Sequence, residues 1–243
     1  MVFTSDLGSL QLTPGEVRVS AEGVFVPTPS TSLQHTELCY TGKAEHTGLT
    51  PFLARPRLAV GVPGGIGIEL SYLPPVTVAD ATPNLASAAI WLTRELSSNT
   101  SLTLRAHGTI GTVQGPITCP KNALQQGNSE APCYGTRQSK DEFRADMAGA
   151  EVIGTLTPMR AASRLRLSAG LGINALYPRF RVSFSDLSGG TDHTRILVNL
   201  ARVTGFAGAA VRLGSRCEGS SEGYASFGDV ATVRAILGCS ILR

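Results

Sequence analysis

No stretch of this 243-residue chain approaches the roughly 18 uninterrupted apolar residues that a membrane-spanning helix requires. The longest greasy runs, such as Ala86–Leu92, are far too short, so a helical membrane protein is excluded. Charge is scarce at 16% of residues, and the net value of +3 is spread along the chain without a basic block. That distribution argues against nucleic acid as a partner. Aromatics make up only 6%. The five cysteines, Cys39, Cys119, Cys133, Cys217 and Cys239, match no zinc spacing and form no C-x-x-C, so neither metal nor other cofactor is expected. No G-x-S-x-G elbow is present. Met1–Leu10 lacks a charged n-region and an apolar h-region, so an exported chain would be numbered from beyond its cleavage site.

What the chain does have is alternation. Arg164–Ala175 reads R-L-R-L-S-A-G-L-G-I-N-A. Leu165, Leu167, Ala169, Leu171 and Ile173 fall on one face of a strand, and Arg164, Arg166, Ser168, Gly170, Gly172 and Asn174 on the other. An ordinary strand holds such a pattern for about five residues. Here it holds for about twelve, near the length a tilted strand needs to cross a bilayer. Glycine is abundant at 27 residues and mean hydropathy is close to zero, as expected where half of every strand is polar.

The same pattern recurs along the chain. Residues 1–14 read as a lead-in ending in the turn Thr13-Pro14-Gly15, and 15–243 as one domain. Alternating runs are expected at 16–26, 57–62, 66–72, 86–96, 101–113, 146–157, 164–184, 195–202, 207–213 and 230–242, with Pro63-Gly64-Gly65 as the clearest hairpin turn. The facing of 86–96 is ambiguous, because Trp91 and Glu95 share one side while Ile90 and Arg94 share the other. Thr204-Gly205 reads as a turn and 214–229 as a loop holding Cys217. Connections then alternate long and short, with long ones after the first, third, fifth, seventh and ninth strands. A sandwich has no reason to sort its connections in this way, whereas a membrane barrel does. The expected fold is all-β: a transmembrane antiparallel up-and-down β-barrel of about ten strands, with eight as the alternative count.

In this layout, and in strands such as Gly61-Val62-Pro63-Gly64-Gly65-Ile66-Gly67-Ile68-Glu69, the chain resembles the small outer-membrane β-barrel proteins of Gram-negative bacteria, the porin-like and OmpA-like class. The resemblance implies the bacterial outer membrane as location, a lipid bilayer as partner, short periplasmic turns and long extracellular loops. Such barrels usually end in an aromatic residue, whereas this chain ends Ser240-Ile241-Leu242-Arg243. The interfacial girdle is also thin: Tyr72, Phe143, Tyr177 and Phe180 at one rim and Phe206 at the other. Both departures point to other envelope proteins as partners in a larger assembly.

Within a barrel, the inward faces carry Glu16, Glu22, Glu69 and Glu151 with Arg18, Arg57, Arg105, Arg164, Arg166, Arg212 and Arg234, plus His107. Charges in a narrow interior are costly unless paired, so a cross-linked polar plug is expected. The competing reading is a narrow small-solute channel whose arginine excess favours anions. A soluble secreted β-sandwich adhesin is the third reading. Cys119 and Cys133 are expected to pair within one long loop, closing about fifteen residues and stabilising by roughly 3 kcal/mol. Cys39 and Cys217 are expected to pair between the first and last long loops, leaving Cys239 single. An enzyme is not expected: Asp192-His193 would point to opposite faces, Asp80 has no second carboxylate near it in sequence, and His107 beside Glu95 or Glu151 reads as a satisfied buried histidine. The expected role is structural or binding, as a membrane anchor or a platform for surface loops.

Overall fold

A computed structural model describes residues 11–25, 52–124, 126–127, 133–158, 164–182, 184–185, 191–192, 195–226 and 231–242. Thirteen strands are present among them: β1 (Val17–Phe25), β2 (Phe52–Val62), β3 (Ile66–Leu73), β4 (Thr82–Ser97), β5 (Thr100–Gly115), β6 (Asp141–Leu156), β7 (Leu165–Arg181), the two-residue β8 (Phe184–Ser185) and β9 (Thr191–Asp192), β10 (Arg195–Leu197), β11 (Leu200–Arg212), β12 (Cys217–Ser226) and β13 (Ala231–Leu242). Ten of them run antiparallel from β7 through β11, β12, β13 and β1 to β6, and β6 pairs back onto β7. The sheet is therefore a closed ten-stranded barrel, with β10 attached as an eleventh piece to the end of β7. Closure pairs the last strand with the first, Leu242 opposite Val17 and Val233 opposite Phe25, which removes the free edges an open sheet would leave. Two separate sheets packed face to face are not formed, so the sandwich reading falls.

Burial alternates residue by residue as a barrel wall demands: along β1, Arg18, Ser20, Glu22 and Val24 are buried while Val19, Ala21, Gly23 and Phe25 are exposed. The Pro63-Gly64-Gly65 hairpin forms as read, with Gly64 and Gly65 at φ 87° and 77°, conformations that glycine adopts without a Cβ penalty. The ambiguous strand resolves with Trp91 inside, 3% exposed, and Ile90 outside, 51% exposed. Gly67, opposite Trp91 in the register, makes this feasible: a Cβ there would stand 2.1 Å from Trp91 Cζ2.

Three expectations are corrected. Thr204-Gly205 is no turn but the middle of β11, paired on both sides, with Thr204 fully buried. Only Arg195–Leu197 of the expected strand 195–202 stands apart as β10. The ninth connection is not 214–229 but 227–230, because Cys217–Ser226 forms β12. Its inward residues are polar and its outward ones small (Gly219, Ser221, Gly223), so the two-residue period gave no hydrophobic contrast to read. The strand count survives because one strand was split and another missed.

Candidate functional site

The barrel interior is built in layers. At the short-turn end the segment preceding β1 tucks under the barrel. Glu16 accepts from the Thr13 amide at 3.1 Å and the Thr13 hydroxyl at 2.8 Å, and Ser240 donates to its other oxygen. Arg166 bonds Glu218 and donates to Gln11 Oε1 at 3.0 Å, while Arg18 lies 3.8 Å from Glu218. Above this, Ala59, Trp91, Ile153, Phe206 and Tyr224 form an apolar layer across the bore, with Leu12 packed against it. Phe206 and Tyr224 stack with ring centroids 6.2 Å apart. Gly170 leaves room for Phe206, since a Cβ there would sit 2.4 Å from its Cζ.

Next comes a charged belt that runs round the whole wall. Glu22 on β1 holds Arg55 Nε at 2.5 Å and Arg57 Nε at 2.7 Å, both from β2. Arg57 reaches Glu69 on β3 at 2.8 Å, and Arg105 on β5 lies 3.5 Å from the same carboxylate. Arg105 also bonds Glu151 on β6 at 3.0 Å and donates to His107 Nδ1 at 3.1 Å. With Nδ1 accepting, Nε2 carries the proton and donates to Asn174 Oδ1 on β7 at 3.0 Å. The Asn174 amide in turn donates to Thr204 on β11 at 3.3 Å and to Tyr224 on β12 at 3.0 Å. Arg234 on β13 lies over the Tyr224 ring at 5.9 Å, donates to Glu222 at 2.8 Å and sits 3.6 Å from Glu22, which closes the circuit. The remaining strand, β4, joins through Ser87, which takes a bond from Arg55 at 3.4 Å and meets Thr109 at 2.8 Å.

Of the expected inward charges, Glu16, Arg18, Glu22, Arg57, Glu69, Arg105, His107, Glu151 and Arg234 are buried inside. Arg166 is half-buried at the short-turn rim, and Arg164 and Arg212 are exposed there, so neither belongs to the lumen. Alternation named the right face, but these two lie beyond the last layer of the core. Sequence reasoning missed Arg55, Glu218, Glu222 and Tyr224, and placed Asn174 on the polar face without a role. Arg55 falls in the turn-like Ala54-Arg55-Pro56, and the two glutamates lie in the stretch read as a loop. Their inclusion removes the expected arginine excess: among the described residues the buried wall carries Arg18, Arg55, Arg57, Arg105 and Arg234 against Glu16, Glu22, Glu69, Glu151, Glu218 and Glu222. Glu95 is exposed at the short-turn end and does not approach His107, whereas Glu151 lies 3.8 Å from it. Asp80 sits in the 74–81 turn with φ 64°, and His193 lies outside the described residues, so Asp192-His193 is not placed as a pair.

Cys119 and Cys133 are bonded. Asp141, fully buried, anchors their loop by accepting from the Thr118 amide at 2.5 Å and the Ser139 hydroxyl at 2.7 Å, and Ser139 in turn takes the Cys119 amide at 2.9 Å. The second expected pair is corrected: Cys217 is bonded to Cys239, directly opposite it on β13. The cause is β12 itself, which carries Cys217 out of any loop and into the ladder. Cys39 lies outside the described residues.

The outer wall is the reverse of the interior. Large apolar side chains stand exposed on nine of the ten barrel strands, among them Val19, Leu58, Leu70, Ile90, Leu104, Val152, Leu171, Val203 and Leu237. Water would penalise such a continuous apolar surface, and lipid does not. The aromatic girdle is corrected as well. Tyr72 and Tyr177 do face outward, joined by Phe25 and Phe52 whose rings lie 5.1 Å apart. Phe206 and Phe143 pack in the interior layers instead, and Phe180 shares the inward parity of β7.

Neither a protein-family model nor a curated protein sequence matches the chain. Among solved structures it is similar to Ail, the attachment invasion locus protein of Yersinia pestis, at 9% identity over 94% of this chain and 98% of that one, with a TM-score of 0.35. A loop-deletion mutant of OmpT, an outer membrane protein of Vibrio cholerae, aligns at 9% identity over 91% and 75%, TM-score 0.30. A mutant of the monoaromatic hydrocarbon channel TodX aligns at 11% over 95% and 68%, TM-score 0.32.

Proposed function

We propose that this chain is an outer-membrane β-barrel of the Gram-negative envelope whose role is structural or binding: a closed anchor that carries its long loops at the cell surface, as a subunit of a larger envelope assembly. The observation that carries this reading is the filled bore. A layer of Trp91, Ile153, Phe206 and Tyr224 and a belt of ion pairs and hydrogen bonds, whose charged members are all buried, block the axis at successive levels. A barrel of about this strand number is narrow enough for side chains to fill. The same packing supports a non-enzymatic role, because His107 is fully engaged by Arg105 and Asn174.

Planar-bilayer recording of the purified protein tests it: the expected trace shows no steady open channel. A sustained conductance in the wild type would overturn the plugged reading in favour of the narrow channel. With six buried glutamates against five arginines among the described residues, such a channel has no reason to prefer anions. The assembly part is tested by pull-down from detergent-solubilised membranes, where recovery of a lone monomer would count against it.

A further inference from the structure

The outer wall is apolar up to the loop end of β6 and β7, and there it turns cationic in one sector. The outward residues of β7 from Leu165 to Tyr177 are apolar, aromatic or small, and the next two, Arg179 and Arg181, are exposed. Twelve residues of strand tilted by about 40° span about 30 Å, the height of a lipid core. Arg179 stands opposite Arg144 of β6, whose side chain is 45% exposed, and Arg181 opposite Arg195 of β10. Four guanidinium groups thus share one face of three adjacent strands. The acids close to them are Asp146, 3.1 Å from Arg144, and Glu142, opposite Arg181 in the register. Arg179, Arg181 and Arg195 have no ion-pair partner among the described residues. Beside them stands Leu197, 69% exposed and opposite Arg179.

Arginines fixed on an outer wall immediately above an apolar band face the headgroup layer. An exposed leucine among them offers apolar contact at the same depth. Guanidinium groups bind phosphate through paired N–H donors, and a cluster on a rigid sheet pays little entropy to do so. We infer that the Arg144–Arg179–Arg181–Arg195 face binds the phosphorylated headgroup of a lipid in the leaflet at the long-loop end. This rests on the membrane reading above. On β1, β2 and β3 the wall ends at this level in Phe25, Phe52 and Tyr72 instead.

The test uses the full chain refolded into phosphatidylcholine vesicles, with or without a minor fraction of diphosphoryl lipid A, and lipid retained after mild detergent extraction is counted by native mass spectrometry. Failure to insert into phosphatidylcholine alone would sink the membrane reading itself, separately from this proposal. The expected result is selective retention of diphosphoryl lipid A. Combined Arg179→Gln, Arg181→Gln and Arg195→Gln should weaken that retention by about a hundredfold, at about one factor of five per guanidinium near a charged headgroup layer. Arg94→Gln, an exposed arginine at the opposite end of the wall, should leave it unchanged. Equal retention by the triple variant, an equal loss in the Arg94 variant, or displacement of the lipid by inorganic phosphate alone would overturn the proposal.

Discussion

Leu104 and Arg105 are consecutive in β5 and live in opposite media. Leu104 is 52% exposed on the outer wall, surrounded by other aliphatic side chains, whereas Arg105 is 4% exposed and tied to Glu151, Glu69 and His107 across the bore. The same division runs through every strand with large outward residues: Ile68 against Glu69, Ile90 against Trp91, Val152 against Ile153. A soluble protein hides its leucines and wets its arginines. Here the arginines are the core, and they are tolerable there only because each meets a carboxylate. Inner-face residues are therefore specific partners, while outer-face residues need only be apolar.

The contrast is broken most severely at Glu22, which receives Arg55 and Arg57 and lies beside Arg234. Glu22→Ala removes the carboxylate that three buried guanidinium groups share and is expected to cost about 3–5 kcal/mol. Guanidinium titration of the barrel refolding into vesicles measures it, together with loss of the heat-modifiable band on a gel. A loss below about 1 kcal/mol would mean the belt is hydrated and contributes little.

How far the sequence reveals this division depends on side-chain contrast. β7 and β5 announce themselves because leucine alternates with arginine, glycine or threonine. β12 does not, because Glu218, Glu222 and Tyr224 face in while Gly219, Ser221 and Gly223 face out, and glycine and serine look like loop. Closure can be inferred from the even strand count, but the partners of each interior charge cannot, since register sets them. Arg57 meets Glu22 and Glu69 because β1, β2 and β3 align as they do, and a slip of β2 by one residue would turn Arg55 and Arg57 to the outer face. Cys217 shows the same limit: its partner follows from a ladder position no spacing rule supplies. Asp141 and Ser139 are invisible for another reason, as their role is to brace a loop whose path only the structure shows.

On the outer wall the expected costs are smaller and differ in kind. Leu171 is 61% exposed in the middle of the apolar band of β7. On the membrane reading proposed above, Leu171→Arg places a guanidinium near the bilayer midplane and should cost about 2–4 kcal/mol. The same vesicle-refolding titration reads it, and the effect should fade when the arginine is moved to position 177, beside the headgroup layer. An equal penalty at both depths would argue that this sector faces a protein partner rather than lipid.

The smallest effect is the most discriminating. Leu171→Ala removes the same kind of group that Ile153→Ala removes inside, yet the two sites answer to different physics. Ile153 is fully buried in the apolar layer beside Trp91 and Phe206. Truncating it leaves a cavity between rigid walls, at an expected cost of about 2–5 kcal/mol. If Leu171 faces lipid as proposed, lipid chains flow into the space, so only the transfer of the three lost carbons from water remains, about 2 kcal/mol. A double titration in vesicles of the two variants separates these terms. If Leu171→Ala cost as much as Ile153→Ala, the outer wall would be packed against something as unyielding as the barrel's own core, and the β7 face would be a protein interface rather than a lipid surface.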